Sequence, residues 1–264
     1  MSCFIKQFQQ FKYINPCTSQ FVKHTNIKSS NKRHYIARLK YIKAQKHPMQ
    51  RLNPRIEALK GWIQPQHLQY TAIKKHANEF QNNKPFPHLL IKNFLQSKQL
   101  DFLLKALEKQ PFETRLTEQY NVQQTEDLRY STTYVFSSFY TMLSSSYFVK
   151  MLEEITGILK LKNNIDLAGL SYPQGGFYMP HNDYADNRRL AYILYLTPTL
   201  TKKDGGALDF FTVDKENIPQ KIIKTYYPLQ NSLMIFQITR QSAHQVTPLV
   251  SEKKRMTLSG WFHG

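Results

Sequence analysis

The last hundred residues of the chain consist of short segments in which hydrophobic and polar side chains alternate with a period of two. This period is typical of β-strands, and turn sequences such as Lys203-Asp-Gly-Gly206 separate the segments. Strands are predicted over residues 165–172, 189–196, 207–212, 222–227, 232–238, 243–249 and 256–262. Strands this short and this closely spaced predict a closed or double-layered antiparallel β structure with helices packed outside it.

The residues before this β-rich part are predicted to be largely helical. The predicted elements are a polar helix over 57–84, a strand over 88–94 that follows Pro85 and Pro87, a helix over 97–107, a loop over 119–127 and a helix over 139–161. The helix at 97–107 has Ser97 as its predicted N-cap, because leucines at 100, 103, 104 and 107 recur at helical spacing immediately after it.

Residues 1–56 form a strongly basic leader. They carry 12 Lys and Arg side chains and no Asp or Glu, whereas the other residues hold 24 basic and 18 acidic side chains. A basic, acid-free and hydroxyl-bearing segment is typical of a mitochondrial import sequence. The alternative is a basic arm that binds RNA or an acidic partner, and the cytoplasm or nucleus is the alternative location.

These observations divide the chain into the leader, a helical linker over 57–84 and one domain over 85–264. Cys3 and Cys17 both lie in the leader, which excludes a disulfide framework, a cysteine zinc site and a cysteine nucleophile for the rest of the chain. No run approaches the ~18 apolar residues of a membrane-spanning helix. Nucleic-acid binding is expected only through the leader, because the remaining residues are mildly basic and show no stacking platform.

His181 and Asp183 are the first candidates for chemistry. Side chains two residues apart on an extended segment share one face, so a nitrogen ligand and an oxygen ligand would lie side by side. A second histidine would complete the 2-His-1-carboxylate face of a non-haem iron site. In isolation, the pair is better explained as a strand-end histidine that is hydrogen-bonded to a nearby carboxylate, so the metal-site interpretation depends on the rest of the chain.

His244 and Arg255 extend this pair. In a jelly-roll-like barrel, strands far apart in sequence face each other, so His244 would meet His181 and Asp183. Arg255 opens the last predicted strand, where a guanidinium would hold a carboxylate through two parallel hydrogen bonds. Three protein ligands leave three octahedral positions on Fe(II), of which a 2-oxo acid would take two and O₂ the third.

The segment Tyr172-Pro-Gln-Gly-Gly-Phe-Tyr-Met-Pro-His-Asn-Asp183 resembles the metal-binding strand of the Fe(II)/2-oxoglutarate-dependent prolyl hydroxylase family. Further segments are similar to its ribosomal prolyl 3-hydroxylase branch: Arg188-Arg-Leu-Ala-Tyr-Ile-Leu-Tyr-Leu196, Gly205-Gly-Ala-Leu-Asp209, His244-Gln-Val246, Ser251-Glu-Lys-Lys-Arg255 and Ser259-Gly-Trp-Phe-His-Gly264. That branch hydroxylates a proline of a small-subunit ribosomal protein and commonly has a second, non-catalytic barrel, whereas this sequence stops at Gly264. The resemblance therefore covers the catalytic domain.

The resemblance implies a mainly β fold with flanking α-helices, built on a double-stranded β-helix (jelly-roll) dioxygenase core. It implies His181, Asp183 and His244 as the iron ligands. Arg255 would bind the distal carboxylate of 2-oxoglutarate with help from the Tyr195 hydroxyl, and Tyr178 would also contact this co-substrate. The alternative for both tyrosines is an ordinary position in the barrel core. Fe(II), 2-oxoglutarate and O₂ would be required, with ascorbate as a candidate additional reductant.

The function expected from the resemblance is hydroxylation of a prolyl residue in a protein substrate by an Fe(II)- and 2-oxoglutarate-dependent dioxygenase. Two alternatives stay open. In the first, the chain is an accessory subunit of a large mitochondrial assembly, either a respiratory complex or the ribosome, and has this fold with little or no turnover. In the second, it is a nucleic-acid demethylase that uses the same chemistry, which the mild positive charge of the residues outside the leader disfavours.

Overall fold

The computed structural model describes residues 57–185 and 187–264, so the predicted leader lies outside the described residues. Helices in this part are named α1 to α5: Glu57–Lys60, Tyr70–Asn82, Ser97–Leu107, Tyr134–Ser144 and Ser146–Thr156, with short 3-10 turns at Pro65–Leu68 and Leu128–Tyr130. None of the helices within these residues is long and apolar enough to span a membrane.

In the described part of the chain, eleven strands form one antiparallel sheet. They are named β1 to β11: His88–Lys92, Glu113–Leu116, Tyr120–Gln124, Ala168–Tyr172, Phe177–His181, Arg188–Tyr195, Leu208–Val213, Pro219–Tyr226, Ser232–Gln237, His244–Val246 and Arg255–His263. Their order in the sheet is β1-β9-β6-β11-β4-β3-β5-β10-β7-β8, and β2 pairs with β3.

The sheet folds over so that its two ends face each other. Phe236 of β9 lies 4.7 Å, between ring centroids, from His244 of β10, although five strands separate these two strands in the sheet. The ring centroid of Phe236 also lies 5.5 Å from that of Phe210 on β7. Their contacts form an inner apolar cluster with Met234 and Val246. The predicted jelly-roll core with flanking helices is thereby confirmed.

Along the strands of one half of the sheet, successive side chains point alternately to this inner cluster and to an outer one. On β6, Ala191 and Tyr195 point to the inner cluster, whereas Leu190, Tyr192 and Leu194 belong to the outer cluster. The outer cluster is completed by the apolar faces of the helices. Each fully buried Leu or Phe contributes about 1.5–3 kcal/mol, so this layer of helices fixes the sheet on which the inner side chains are mounted.

The helices before β1 are part of the same outer layer. Ile73 and Phe80 of α2 are fully buried in the outer cluster together with Leu103 of α3. The segment 57–84, predicted as a helical linker, therefore packs against the domain along its length. The predicted boundary at residue 85 remains a prediction.

Four local predictions were wrong. The polar helix predicted over 57–84 is divided into α1, the 3-10 turn at Pro65–Leu68 and α2. Residues 119–127 are not a loop, because β3 pairs with β2, β4 and β5 even though Val122 is its single buried apolar side chain. The helix predicted over 139–161 is two helices, because Ser145 is extended and its hydroxyl caps α5 by accepting a hydrogen bond from the Phe148 N–H. Ser97 is the first residue of α3, and Gln96 takes the N-cap position without a side-chain hydrogen bond.

Candidate metal centre

His181 and His244 lie opposite each other on two paired strands. β5 ends at His181, β10 begins at His244, and the two residues are direct partners in the antiparallel ladder. Opposed side chains in such a ladder lie about 5 Å apart on one face of the sheet. The pairing of β5 with β10 thus brings together two histidines that are far apart in the sequence.

Asp183 reaches the same point through a turn. It lies two residues beyond the end of β5 and has a φ of 59°, in the left-handed region that Asp adopts more readily than most residues. The extended geometry predicted for the His181–Asp183 pair is therefore wrong at Asp183. The turn nevertheless brings the carboxylate back beside the imidazole of His181.

The three side chains converge on a small volume. Oδ1 of Asp183 lies 3.5 Å from Nε2 of His181, and Oδ2 lies 3.5 Å from Nε2 of His244. One ligand atom from each residue lies within 4.8 Å of the others, and no other group of three or more His, Cys, Asp or Glu in the described part of the chain does this. Ligand atoms at about 2.0–2.2 Å from one ion lie about 3 Å apart, so this spacing suits a single ion.

Backbone carbonyls orient both imidazoles. Nδ1 of His181 lies 2.7 Å from the Met179 carbonyl oxygen, and Nδ1 of His244 lies 2.8 Å from that of Ser242. A carbonyl only accepts, so each Nδ1 carries a proton and each ring points its Nε2 toward Asp183. Two imidazole nitrogens and a carboxylate at these distances need a cation between them, which is either a proton on Nε2 or a metal ion. The donor set therefore fits a divalent metal ion.

The protonation states agree with this arrangement. Burial and the neighbouring His244 lower the pKa of His181 to about 4, so its imidazole is neutral at neutral pH. Burial opposes ionisation of Asp183, but His244, His181 and the indole N–H of Trp261 together hold its pKa well below the usual range. The centre thus offers a neutral nitrogen ligand beside an ionised carboxylate, as metal binding requires.

Trp261 and Arg188 form a wall beside the carboxylate. The indole N–H of Trp261 donates a hydrogen bond to Oδ2 of Asp183 across 3.0 Å. The guanidinium of Arg188 stacks on the indole of Trp261, with the Cζ of Arg188 3.6 Å from the ring centroid. Nε of Arg188 is buried and has no hydrogen-bond partner, so this donor is available to a bound molecule.

Two cavities lie beside His181 and Asp183. One, of about 260 Å³, extends into the sheet and is lined by Tyr172, Tyr178, Leu208 and Trp261. The ring of Tyr178 stacks on that of His181 with centroids 3.9 Å apart. The other, of about 370 Å³, is more open and is lined by Pro180, Tyr184, Arg188, Asn217, Pro219 and Ala243. Each cavity also contains His181 and Asp183 in its wall.

Arg255 is a buried cation at the start of β11. Its side chain is 1% exposed, its Nε donates to the Gly206 carbonyl oxygen across 3.0 Å, and its Nη2 has no hydrogen-bond partner. Within the described residues, no carboxylate forms an ion pair with it. A buried, unpaired guanidinium is costly, so an anion is the missing partner.

Two buried hydroxyls without hydrogen-bond partners lie on the same strands. They belong to Tyr195 and Thr257, which are direct partners in the β6–β11 ladder, and Thr257 is two residues from Arg255 on β11. Cζ of Arg255 lies 5.2 Å from the ring centroid of Tyr195 and 4.7 Å from that of Tyr172, which also lines the inner cavity. Burial raises the pKa of Tyr195, although the charge of Arg255 opposes the shift. These neutral hydroxyls and the guanidinium form a donor set suited to a carboxylate.

The structure places the site residues that the sequence predicted in two groups. His181, Asp183 and His244 converge, Tyr178 stacks on the first of them, and Tyr195 contacts Arg255. Their predicted roles as ligands of iron and 2-oxoglutarate remain predictions. Sequence reasoning did not assign the site residues Tyr172, Arg188, Thr257 and Trp261. Alternation along β11 would have placed Thr257 on the same face as Arg255.

Comparison with known proteins agrees with this geometry. Residues 167–263 match the sequence profile of the 2OG-Fe(II) oxygenase superfamily. Prolyl 3-hydroxylase OGFOD1 of Xenopus laevis is 34% identical over 182 residues, which cover 68% of this chain and 35% of that protein. Its mouse counterpart is also 34% identical over 182 residues, which cover 33% of its length. The chain thus spans about a third of the length of the curated relatives that it matches.

Solved structures support the fold. A prolyl-4-hydroxylase of Pseudomonas putida is similar with a TM-score of 0.56 at 19% identity, over 71% of this chain and 98% of that one. A prolyl hydroxylase of Trichoplax adhaerens, solved with a hypoxia inducible factor peptide fragment, has a TM-score of 0.55 at 18% identity, over 74% and 93% of the two chains. At this level of identity, the similarity establishes the common fold.

Proposed function

We propose that this protein is an Fe(II)- and 2-oxoglutarate-dependent dioxygenase that hydroxylates a prolyl residue of a protein. The proposal starts from the match of residues 167–263 to the 2OG-Fe(II) oxygenase superfamily. The observation that carries the proposal is the combination of two binding features. His181, Asp183 and His244 each direct one ligand atom to a common point, and the buried guanidinium of Arg255 has an Nη2 that no side chain or backbone group of the described residues accepts from. A divalent metal ion and a carboxylate, the two groups that this chemistry requires, fit these features.

His181, Asp183 and His244 would hold Fe(II) through Nε2, a carboxylate oxygen and Nε2. The carbonyls of Met179 and Ser242 would keep both imidazoles in the ligating tautomer, and Trp261 would keep the carboxylate in orientation. When bound, Fe(II) and 2-oxoglutarate would activate O₂ and supply the oxidant, with 2-oxoglutarate converted to succinate and CO₂.

Arg255 would bind the distal carboxylate of 2-oxoglutarate. Its free Nη2 and the hydroxyls of Tyr195 and Thr257 would each gain the hydrogen bond that they now lack. Tyr172, whose ring contacts Arg255 and lines the inner cavity, would exclude water from this carboxylate. Tyr178 lies beside His181, where it would contact the co-substrate close to the metal.

The more open cavity would receive the substrate. Pro180, Tyr184 and Ala243 give it apolar walls beside the metal ligands, which suits an uncharged pyrrolidine ring. The sequence relatives at 34% identity are prolyl 3-hydroxylases, which favours a prolyl substrate and oxidation at the 3-position of its ring.

An anaerobic titration would test the proposal. Fe(II) and 2-oxoglutarate together should give the wild-type protein a visible metal-to-ligand charge-transfer band. We expect His181→Ala to lose the band, because one of three ligands is removed. Arg255→Lys should keep it but require at least tenfold more 2-oxoglutarate, because the two-pronged guanidinium is lost. A wild-type protein that shows no band would contradict the proposal.

The acid-free composition of residues 1–56 favours a second role. This composition is typical of import into mitochondria, where the protein would serve as an accessory subunit of a large assembly with little or no turnover. Cell fractionation followed by affinity purification would separate the two functions. A stable complex without succinate production would favour the accessory role, and hydroxylated proline in a co-purified partner would favour the enzyme.

A further inference from the structure

β8 is an unusually exposed strand at one end of the sheet. Within the part of the chain that the structure describes, β7 is its single neighbour, so its other edge presents unpaired backbone groups. The pairing with β7 has a bulge at Ile223, which lies between the partners of Phe210 and Phe211, so Lys221 and Lys224 share a face although they are three residues apart. Its side chains from Gln220 to Thr225 are all exposed. They include Ile222 and Ile223, which are 45% and 44% exposed. Exposed β-branched side chains on a free edge are typical of a surface that pairs with another strand.

The free edge of β8 begins beside the more open cavity, which would receive the substrate and is called the substrate cavity below. Asn217 and Pro219 line this cavity together with His181 and Asp183. The turn before β8 is ordered by Asp214, whose carboxylate accepts hydrogen bonds from the backbone N–H groups of Glu216 and Ile218. A chain paired along β8 would therefore have one end held beside the metal ligands.

The charges along β8 limit what can pair with it. Lys221 and Lys224 are exposed, and the strand itself contains no acidic residue. A second copy of β8 would place like charges opposite each other, which is the usual way in which edge strands avoid self-association. The leader of this chain has 12 basic and no acidic side chains, so it would be repelled as well. An acidic partner avoids both problems.

We propose that β8 is a docking edge for an extended, acidic segment of the polypeptide substrate. The segment would add a strand to the sheet next to β8, with its carboxylates beside Lys221 and Lys224 and its apolar side chains against Ile222 and Ile223. The residue at the end of this segment would enter the substrate cavity at Pro219. This inference rests on the proposed function, which supplies a protein as the substrate.

A polypeptide fits β8 better than a nucleic acid does. The exposed side chains beside the lysines are aliphatic, whereas single-stranded nucleic acids bind through aromatic side chains that stack on the bases. A free strand edge offers alternating N–H and C=O groups, which match the backbone of an extended peptide.

Synthetic peptides would test the proposal directly. Each fluorescein-labelled probe would contain one proline and a flank of either Glu-Val-Glu-Val-Glu or Lys-Val-Lys-Val-Lys. Each flank would be made in two probes, one with the flank before the proline and one with the flank after it. We expect the wild-type protein to bind an acidic probe at least tenfold more tightly than the matching basic probe in fluorescence anisotropy. The double variant Lys221→Glu/Lys224→Glu should reverse this preference.

The matched control is Lys98→Glu/Lys105→Glu, which makes the same charge change on exposed lysines of α3. It should retain the wild-type preference. Equal affinity for acidic and basic probes, or the same loss in both double variants, would overturn the proposal because binding would then follow the overall charge. Tighter binding of a uridine oligonucleotide through Lys221 and Lys224 than of any acidic probe would also overturn it in favour of RNA.

Backbone pairing requires a separate measurement. Two N-methylated versions of the acidic probe would be compared, one methylated at the odd-numbered and one at the even-numbered residues of the flank. A strand pairs with its neighbour through every second amide, so one version should lose binding and the other should keep it. Equal effects of methylation in both versions would contradict strand addition. These measurements need neither Fe(II) nor 2-oxoglutarate, so a failure at β8 can be distinguished from the absence of the charge-transfer band.

Discussion

Trp261 holds the Asp183 carboxylate between two imidazoles through a hydrogen bond of 3.0 Å from its indole N–H to Oδ2. The two residues lie on different parts of the sheet, since β11, which carries Trp261, is three positions from β5 in the strand order. The bond therefore connects the turn that carries Asp183 to a central strand. A carboxylate held in this way is oriented before a metal ion arrives.

Replacement of Trp261 by Phe should weaken metal binding. The variant keeps an aromatic ring but removes the N–H donor, and loss of such a supporting hydrogen bond typically lowers metal affinity by about 10–100-fold. Calorimetric titration with Mn(II), an air-stable substitute for Fe(II), would measure the change. Trp62→Phe is the matched control, because the only other tryptophan lies in the outer cluster beside Phe139. An equal loss of affinity in both variants would contradict the assigned role.

Replacement of Tyr195 by Phe should stabilise the protein and weaken co-substrate binding. A buried hydroxyl without a partner costs about 1–3 kcal/mol, so its removal should raise the free energy of unfolding of the ligand-free protein by about 1 kcal/mol. The affinity for 2-oxoglutarate should fall by about tenfold, since a hydrogen bond to a charged group is lost. Denaturant unfolding and titration of the charge-transfer band would measure the two effects.

Tyr192→Phe provides the comparison on the same strand. The Tyr192 hydroxyl donates to the Asp166 carbonyl oxygen across 2.8 Å. Its removal should therefore lower the free energy of unfolding by about 1 kcal/mol and leave the affinity for 2-oxoglutarate unchanged. If both Tyr→Phe variants changed stability in the same direction, the Tyr195 hydroxyl would have a partner in the folded protein.

His181, Asp183, His244 and Arg255 were predictable from the sequence because a structural core has no need for these four residues together. The rest of the site depends on strand register, which a single sequence does not reveal. Thr257 belongs to the site because it pairs with Tyr195 across two strands. Asp183 meets His181 through a left-handed turn and not along an extended strand.

The fold was predictable where burial follows a simple period. The leucines of α3 and the alternating side chains of β6 and β9 indicate which face is buried. The β2–β3 hairpin was not predictable in this way. All four side chains of β2 are exposed, and β3 has one buried residue, so backbone pairing with the neighbouring strands holds this hairpin in place.

Replacement of Gly205 by Ala should destabilise the fold more than the same change at Gly175. Both residues have positive φ values, 73° and 77°, and would be strained by a side chain. A Cβ at Gly205 would lie 2.2 Å from the Pro248 carbonyl oxygen, whereas nothing lies within 4 Å of one at Gly175. We expect a loss of about 1–2 kcal/mol for Gly175→Ala and about 3 kcal/mol or more for Gly205→Ala in denaturant unfolding.

The effect at Gly205 should extend to the co-substrate. The Pro248 carbonyl accepts a hydrogen bond from the backbone N–H of Gly206, whose own carbonyl holds Nε of Arg255. Displacement of this turn should therefore lower the affinity for 2-oxoglutarate in Gly205→Ala but not in Gly175→Ala. Equal stability of the two variants would show that the turn at Pro248 accommodates the added methyl group by moving.

His76 should make the stability of the protein depend on pH. Burial and the neighbouring His67 and Lys75 lower the pKa of His76 to about 4, and its Nδ1 is buried without a hydrogen-bond partner. Below the ordinary pKa of about 6.5, the unfolded chain binds a proton that the folded protein does not bind. The contribution of His76 is therefore fully present above pH 6.5, falls as the pH drops toward 4, and changes no further below that.

Replacement of His76 by Gln should remove this part of the pH dependence. Urea unfolding at pH 7, 6, 5 and 4.5 would give the free energy of unfolding of both proteins, and their difference isolates His76 from the carboxylates that also titrate. We expect the wild-type protein to lose more stability than the variant between pH 7 and 4.5, because only the wild-type protein carries a partly buried neutral imidazole at position 76 that resists protonation. Parallel curves for the two proteins would show that His76 accepts a proton in the folded state as readily as in the unfolded one.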